Sequence, residues 1–328
     1  MKKEFYDALI QLTEEKNVLT DEPLKNHVTF RVGGAADYFV SPESAEEVQK
    51  IILLCKEVGM PYYILGNGSN LLVSDQGYRG VIIQIYKSMS EISVKGEFVT
   101  AQAGALLSAI AAKAAGESLA GFEFASGIPG TIGGAAVMNA GAYGGEMKDV
   151  LEQVTVLTKE GELLTIPKEE LDMGYRTSKV AKNQYIVLEA VIHLAHGEQE
   201  KIREKMNELK EKRTTKQPLE YPSAGSTFKR PEGYFAGKLI EEAGLRGFQV
   251  GGAQVSEKHC GFVINKDNAT AAEVRELIRQ VSERVKANSG VTQESEDYLH
   301  KNIQHLPASS MQCSFPHRTF REQSEELQ

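Results

Sequence analysis

The chain has 328 residues, enough for two or three packed domains. Of these residues, 41% are apolar and 25% are charged, a balance typical of a globular protein. Its formal net charge of −8 argues against general electrostatic binding to nucleic acid, although a local basic pocket for a phosphate stays compatible with it. No run of 18 apolar residues occurs, so we expect no membrane span.

The N-terminus, the cysteines and the histidines indicate a cytoplasmic protein without a metal site. The N-terminal stretch is charged and is followed by no apolar segment, which argues against a signal peptide. Cys55, Cys260 and Cys313 are widely spaced and form neither a metal-type pair nor a disulfide framework. His193 and His196 have no carboxylate or cysteine placed to complete a metal site, so we expect no metal.

Helices and strands are predicted to alternate at the start of the chain. Ser44 and Glu47 form a capping box before apolar residues at helical spacing, and Gly59 ends that helix. The strands predicted after it are residues 62–65, 71–73 and 81–85.

The pattern restarts near residue 99 and again after residue 213. The strands predicted there are 99–103, 154–157, 187–194 and 261–264, and the helices are 106–115, 198–213, 236–243 and 271–287. Thr270 and Glu273 are expected to cap the last helix. The fold class is α+β, with two subdomains at 1–97 and 98–212 and a third domain at 213–290.

The last 38 residues, 291–328, differ in composition from the rest of the chain. Only 11 of them are apolar, about 29% against 41% for the whole chain, and none is glycine. So few apolar residues bury little surface, which favours a loose tail.

The strongest motif is a glycine-rich run at residues 124–145, which we call the second glycine segment. Seven glycines among 22 residues let the backbone approach a flat or phosphate-bearing ligand closely, with N–H groups free to bind oxygens. A flexible surface loop is the alternative. The regular recurrence of Ile128, Ile132, Val137 and Met138 argues against it.

Residues 66–70, Gly-Asn-Gly-Ser-Asn, form another motif, which we call the first glycine turn. It resembles the start of a dinucleotide fingerprint, but Leu71 replaces the third glycine and a strand is predicted after it, which excludes a Rossmann site. No P-loop sequence occurs either. A plain tight turn is the alternative, but beside the second glycine segment a pyrophosphate cradle is favoured.

Two further segments carry an arginine whose role the residues alone leave open. In Asn26–Gly34, Arg31 either neutralises a phosphate or lies on a strand edge, and Thr29 is an ordinary strand residue or a ligand contact. In Tyr175–Ser178, Arg176 is either catalytic or part of a surface ion pair.

The segment Tyr221–Pro231 places hydroxyl and basic groups beside a glycine. Gly225 precedes Ser226, and Lys229 follows three residues later, which suits an anion-binding turn or a simple hydroxyl turn that opens a domain. No His-Asp pair and no G-x-S-x-G sequence accompanies Ser226, which argues against a serine hydrolase.

Taken in order, these segments resemble the UDP-N-acetylenolpyruvoylglucosamine reductase family (MurB), in the form that lacks the extra substrate-covering loop. The resemblance covers about residues 20–290. The motifs are N-H-V-T, G-N-G-S-N-L-L-V, G-I-P-G-T-I-G-G-A…M-N-A-G-A, Y-R-T-S, A-G-S-T-F-K and A-G-L-R-G-F-Q-V-G-G-A-Q-V-S-E-K-H. Each is weak alone, but six in order make chance agreement very small.

The resemblance implies an FAD-binding fold of the vanillyl-alcohol-oxidase (PCMH) type, in which two subdomains hold the flavin and a third domain binds the UDP-sugar. FAD would be noncovalent, because the second glycine segment offers no His or Cys for attachment. The cofactor-binding residues implied are Thr29, Arg31, Gly66, Asn67, Gly68, Ser69, Asn70, Gly127, Ile128, Pro129, Gly130, Ile132, Gly133 and Gly134.

The implied activity is reduction of UDP-N-acetylenolpyruvoylglucosamine by NADPH through FAD, during peptidoglycan precursor synthesis. By similarity, Ser226 donates the proton to the α-carbon, with Lys229 or water assisting, and Arg176 stabilises charge on the substrate carboxylate. Tyr175 and Lys229 are implied substrate contacts. The residues do not fix the oligomeric state, and we slightly favour a monomer.

The family's third catalytic group, a glutamate, corresponds to Glu296. Gln293 and Asp297 stand where the family has apolar residues, so this segment departs from the pattern. One alternative is therefore a protein that binds FAD and UDP-sugar but has impaired turnover. Another is an oxygen-using flavin oxidase on the same fold. The motifs at Tyr175–Ser178 and 225–229 argue against it, because they belong to the reductase pattern.

Overall fold

The structure is a computed structural model that describes residues 2–295. Three β-sheets organise it, each belonging to one of three consecutive parts of the chain. The first part contains α1 (Lys2–Leu12), β1 (Val18–Pro23), β2 (Ala35–Val40), α2 (Ala45–Glu57), β3 (Tyr62–Leu65) and β4 (Tyr78–Gln84). Its sheet has the order β1-β2-β4-β3, with β2 and β3 parallel to β4 and β1 antiparallel to β2.

Helix α2 begins where the sequence predicts, but only the Ser44 half of the expected capping box forms, because the Glu47 carboxylate accepts from the Glu43 backbone N–H. The Ser44 hydroxyl accepts a hydrogen bond from the Glu47 backbone N–H at 3.2 Å, and the helix ends before Gly59, whose φ is +67°. Its buried face, which includes Ile51 and Ile52, lies in a core shared with the second part of the chain. The first two parts therefore fold around one common core.

The second part is built on a five-stranded antiparallel sheet of order β11-β10-β12-β6-β5. Its elements are β5 (Ile92–Lys95), β6 (Phe98–Gln102), α3 (Leu107–Gly116), β7 (Leu119–Ala120), α4 (Ile132–Met138), β8 (Gly141–Ala142), β9 (Gly145–Glu146), α5 (Met147–Val150), β10 (Leu151–Leu157), β11 (Leu163–Pro167), α6 (Lys179–Asn183), β12 (Ile186–His193), β13 (Ala195–His196) and α7 (Gln199–Lys216).

The third part is a four-stranded sheet of order β14-β17-β16-β15 with two helices. Its elements are β14 (Ser223–Ser226), α8 (Ala236–Glu242), β15 (Gln249–Val250), β16 (Ala253–Val255), β17 (Phe262–Asn265) and α9 (Ala271–Ser289). The capping box predicted for Thr270 and Glu273 is present at the start of α9. The core of this part also takes in Phe30, Val32 and Leu72 from the first part.

The structure corrects three sequence-based predictions. Residues 71–73 form no strand, because the segment pairs with no strand among the described residues. Leu72 packs into the core of the third part, whereas Leu71 and Val73 pack into a separate core under the first sheet. The second glycine segment is not one long loop, because α4 lies within it. The predicted domain boundary after residue 97 would divide a sheet, because β5 pairs with β6 across it. The predicted boundary after residue 212 falls within α7, which continues to Lys216.

The segment predicted as a loose tail is ordered at its start. Gln293 and Ser295 are buried, and the Gln293 side-chain amide donates to the Ala236 carbonyl oxygen at 3.0 Å. Ser295 pairs with Phe228, so residues 291–295 belong to the third part of the fold, beyond the expected limit at 290. The rest of the predicted tail lies outside the described residues.

The helices described here include none that is long and apolar enough to cross a membrane. Cys55 and Cys260 are free and buried.

Candidate functional site

The first glycine turn lies between β3 and residues 71–73 and is half-buried, with Gly68 buried. Within the described part of the chain, the backbone N–H groups of residues 67–70 donate no hydrogen bond. Gly68 has a φ of +62°, and a Cβ at this position would lie 2.3 Å from the His27 carbonyl oxygen, so only glycine fits. The turn therefore offers consecutive N–H donors that the described residues leave unused, which suits phosphate oxygens.

Thr29 is bonded to this turn, and Arg31 lies two residues further along the chain. The Thr29 backbone N–H donates to the Gly68 carbonyl oxygen at 3.1 Å, and the Thr29 hydroxyl donates to the Ser223 carbonyl oxygen at 2.7 Å. Arg31 has a φ of +54° and an exposed side chain. The sequence analysis allowed both residues to be ordinary strand residues, but neither lies in a strand.

The two glycine segments, far apart in sequence, contact each other. The Asn67 side-chain amide donates to the Pro129 carbonyl oxygen at 2.8 Å, and a Cβ on Gly66 would lie 2.7 Å from the Thr131 hydroxyl oxygen. The Asn70 amide donates to the Met138 sulfur at 3.4 Å. The structure thus brings the two sets of sequence-predicted cofactor residues together.

Within the second glycine segment, Ile132 and Gly133 are used by the fold itself. Their backbone N–H groups donate to the carbonyl oxygens of Ala105 and Ala103, each at 2.9 Å. A Cβ on Gly133 would lie 2.8 Å from the Ala103 Cβ, so this glycine permits close packing. A Cβ on Gly130 would make only ordinary contacts, the nearest at 3.8 Å from the Leu107 Cδ1, so close packing does not require glycine there.

Arg213, on α7, is a candidate that sequence reasoning missed. Its side chain lies against Gly127, where a Cβ would be 3.1 Å from the Arg213 Cδ. Burial lowers the pKa of the guanidinium and the nearby Tyr143 opposes this, while no described residue forms a hydrogen bond or ion pair with it. Nothing in the sequence separates this arginine from the other charged residues of α7, so only the tertiary fold identifies it.

A cavity of about 370 Å³ lies between the second and third parts of the chain. It brings together three sequence-predicted site residues, Tyr175, Arg176 and Ser226, although they lie on two different parts of the fold. Its other polar or charged lining residues are Arg230, Lys238, Glu241, Arg246, Lys258, His259 and Cys260. The excess of cationic side chains suits an anionic ligand such as a diphosphate.

Arg176 lies in a tight turn held from below. Gly174 and Thr177 pair across the turn through backbone hydrogen bonds of 3.0 and 3.3 Å, which leaves Tyr175 and Arg176 at its tip. Arg176 has a φ of +57°, an uncommon conformation for a residue with a Cβ. The buried Asn139 fixes the turn, because its amide donates to the Gly174 carbonyl oxygen at 3.1 Å.

Ser226 ends β14, with an exposed side chain facing the cavity. Gly225 before it has a φ of +81°, which a residue with a Cβ adopts only at a cost. Gly261 lies across from it, and a Cβ there would be 3.6 Å from the Ser226 Oγ.

His259 is a further cavity residue that the sequence analysis did not select. The Gly261 backbone N–H donates to its Nδ1 at 3.1 Å, so in a neutral ring the proton is on Nε2. Burial lowers the pKa of His259, with the Arg246 charge acting in the same direction. Both observations favour a neutral His259 ring near neutral pH, with its N–H on Nε2.

Lys229 does not line the cavity, and the expectation for Glu296 stays a prediction. Lys229 is absent from the lining of the cavity and forms an ion pair of 3.7 Å with Glu294, while its backbone N–H donates to the Glu294 carbonyl oxygen at 2.8 Å. Glu296 lies outside the described residues. No group of three or more metal-ligating side chains occurs between residues 2 and 295.

Comparisons with known proteins agree with this architecture. Residues 36–167 match the family model "FAD binding domain", and residues 217–298 match "UDP-N-acetylenolpyruvoylglucosamine reductase, C-terminal domain". The second match extends through position 296.

Relatives of known name cover nearly the whole chain. The UDP-N-acetylenolpyruvoylglucosamine reductase of Agathobacter rectalis is 54% identical over 308 residues, with 90% of this chain and 98% of the relative covered. That of Clostridium tetani is 53% identical over 289 residues, covering 88% and 94%. The crystal structure of the MurB enzyme from Thermus caldophilus has a TM-score of 0.73 at 37% identity, covering 85% of this chain and 97% of that one.

These matches confirm the α+β fold of the vanillyl-alcohol-oxidase type and FAD as the cofactor. Because relatives more than 50% identical are covered almost end to end, the chain belongs to the UDP-N-acetylenolpyruvoylglucosamine reductase family.

Proposed function

We propose that this chain uses NADPH to reduce the enolpyruvyl ether of UDP-N-acetylenolpyruvoylglucosamine to UDP-N-acetylmuramate, in cytoplasmic peptidoglycan precursor synthesis. The observation that carries the proposal is the cavity that joins Arg176 and Ser226 to a set of cationic side chains. A substrate with a carboxylate, a reducible double bond and a diphosphate matches these three features.

The residues fit FAD. The first glycine turn supplies N–H donors that the described residues leave unused, and the second glycine segment lies directly beside it. Arg213 adds a half-buried positive charge at Gly127, which we assign to the bound cofactor. Bound FAD supplies storage for two electrons between NADPH and the substrate.

Arg176 and Ser226 act on the substrate. We assign to the Arg176 guanidinium the stabilisation of negative charge that grows on the substrate carboxylate as the double bond is reduced. The Ser226 Oγ gives its proton to the α-carbon. Lys229 pairs with Glu294 away from the cavity lining, so we do not assign the delivery of this proton to it.

The cationic residues of the third part hold the UDP group. Arg246 and Lys258 line the cavity and are fixed by the carbonyl oxygens of Glu257 and Thr214, the second at 2.7 Å. Arg230 stacks over the Phe235 ring at 4.1 Å at the same cavity. Tyr175, with 63% of its surface exposed, is free to close over the ligand.

The direct test is to incubate the purified protein with NADPH and the enolpyruvyl UDP-sugar. The proposal expects a product heavier by two hydrogens, with one NADPH consumed per product formed. NADPH consumption with unchanged UDP-sugar would contradict it and would instead favour an oxygen-using oxidase.

The alternative with impaired turnover concerns Glu296. Residues 291–295 lead up to it and are bonded to Phe228, which follows β14, and to Ala236 of α8, which favours an intact segment. We expect Glu296→Gln to slow product formation at least tenfold, as for loss of one catalytic acid. Glu294→Gln is the matched control, since Glu294 is 74% exposed. A parent protein that binds the UDP-sugar without turnover would establish the alternative.

A further inference from the structure

We propose that Thr29 is a positioning residue that fixes the first glycine turn against the strand carrying Ser226, and so sets the distance between cofactor and substrate. This inference rests on the proposed function, because it assigns FAD to the turn and the UDP-sugar to the cavity. It gives Thr29 a role other than that of a cofactor ligand.

Thr29 makes one hydrogen bond to the first glycine turn and one to β14. Its backbone N–H donates to the Gly68 carbonyl oxygen at 3.1 Å, inside the first glycine turn. Its hydroxyl donates to the Ser223 carbonyl oxygen at 2.7 Å, at the start of β14. Ser226 stands at the other end of the same four-residue strand. One half-buried residue thus bonds to both elements.

The residues beside Thr29 belong to different cores. Val28 packs into the core under the first sheet, and Phe30, which is fully buried, packs into the core of the third part. Thr29 is therefore the point where the chain crosses from one core to the other. The close packing of both cores resists sliding of this segment, so a bond made at the crossing holds the two parts in register.

A second contact secures the crossing from the third part. The Asn265 side-chain amide donates to the carbonyl oxygens of Phe30 and Arg31 at 3.2 and 3.4 Å. The Asn265 backbone N–H donates to the Pro222 carbonyl oxygen at 2.9 Å, next to Ser223. Asn265 therefore anchors the backbone, and the Thr29 hydroxyl is left to align β14 with the turn.

The test compares Thr29→Val with Thr29→Ser. Valine keeps the shape and the backbone N–H but removes the hydroxyl, whereas serine keeps the hydroxyl. The two half-reactions are measured separately by the flavin absorbance, with reduction by NADPH first and reoxidation by the enolpyruvyl UDP-sugar second. FAD affinity is measured on the apoprotein.

For Thr29→Val we expect reoxidation by the UDP-sugar to slow about ten- to a hundredfold, as for one lost buried hydrogen bond that acts on the reacting geometry. FAD affinity and reduction by NADPH are expected to stay within about twofold of the parent values, because the Gly68 bond is kept. Thr29→Ser is expected to restore reoxidation to within about threefold.

Amide hydrogen exchange of the apoprotein gives a readout that needs no cofactor or activity. Residues 223–226 should exchange faster in Thr29→Val than in the parent or in Thr29→Ser. Equal loss of both half-reactions, failure of serine to restore reoxidation, or unchanged exchange at 223–226 would overturn the inference. A parent protein that shows no flavin reoxidation by the UDP-sugar would instead overturn the proposed function.

Discussion

Asn139 donates a hydrogen bond to the Gly174 carbonyl oxygen at 3.1 Å and thereby supports the turn that carries Arg176. The same amide donates to the Glu146 Oε2 at 2.8 Å, and its oxygen accepts from the Lys148 backbone N–H at 2.9 Å. Both N–H groups and the oxygen of the Asn139 side-chain amide thus have hydrogen-bond partners within the fold. The Asn in the M-N-A-G motif therefore acts on Arg176 and not on a ligand.

Asn139→Asp should uncouple this support. Aspartate also tolerates the left-handed backbone at this position, where φ is +46°, but it has no N–H for Gly174 and places a second carboxylate beside Glu146. We expect the stabilisation of the transition state to fall by about 1–3 kcal/mol, which lowers the rate of substrate reduction about five- to 150-fold. Stopped-flow reoxidation of the flavin measures it.

Glu146→Gln is the control for Asn139→Asp, because glutamine keeps an oxygen that accepts the Asn139 bond. Its rate should stay near the parent value. If Asn139→Asp and Glu146→Gln reduce substrate equally fast, Asn139 does not position Arg176.

Ser226→Ala should separate the two half-reactions. Removing the hydroxyl removes the proposed proton donor, so the rate of product formation should fall about a hundred- to ten-thousandfold. Reduction of the flavin by NADPH should continue at about the parent rate, because that step does not involve the α-carbon. An equal loss of flavin reduction would show that Ser226 acts on the cofactor site as well.

Asp75 should stabilise the junction between the first and third parts. Its Oδ1 and Oδ2 accept hydrogen bonds from the backbone N–H groups of Ala271 and Ala272 at 2.7 and 2.9 Å, in the first turn of α9. We expect Asp75→Ala to lower the free energy of unfolding by ~1–2 kcal/mol, measured by urea denaturation. Glu204→Ala on the exposed face of α7 is the control and should change it by less than about 0.5 kcal/mol. Equal effects would argue against the cap.

The half-buried imidazole of His259 should make stability depend on pH. Its pKa in the folded protein lies below the ordinary value of 6.5, chiefly through burial, so the unfolded chain binds this proton more readily. The free energy of unfolding should therefore fall as the pH falls below about 6.5 and recover above it.

Urea denaturation at pH 5 and pH 7.5 measures this effect. The difference in the free energy of unfolding between the two pH values should be smaller in His259→Gln than in the parent. A His259→Gln variant with the full parental difference would show that other groups cause it.

The sequence predicts most of the elements but not how they meet. Capping boxes and apolar spacing correctly locate α2 and α9, because these signals are local. Residues 71–73 look like a strand by the same local rule, yet their side chains divide between two cores and no neighbour pairs with them. Whether an extended segment joins a sheet depends on long-range partners that the pattern does not contain.

The candidate site shows the same limit. Glycine spacing singles out residues 66–70 and 124–145, since close backbone approach needs glycine at those positions. Arg213 carries no local signal, because its burial against the surrounding chain gives it its properties. His259 ends the last quoted motif, but only the tertiary fold places it at the cavity. Ile132 and Gly133 were predicted to bind the cofactor, whereas their N–H groups serve the packing of α4.

The most direct test of the central claim is the visible spectrum of the purified protein during addition of NADPH and then of the enolpyruvyl UDP-sugar. The proposed function predicts a flavin band near roughly 450 nm that NADPH bleaches and that the UDP-sugar restores. Restoration by oxygen alone, with the UDP-sugar unchanged, would contradict the reductase assignment. The absence of a flavin band after reconstitution with FAD would contradict the cofactor site itself.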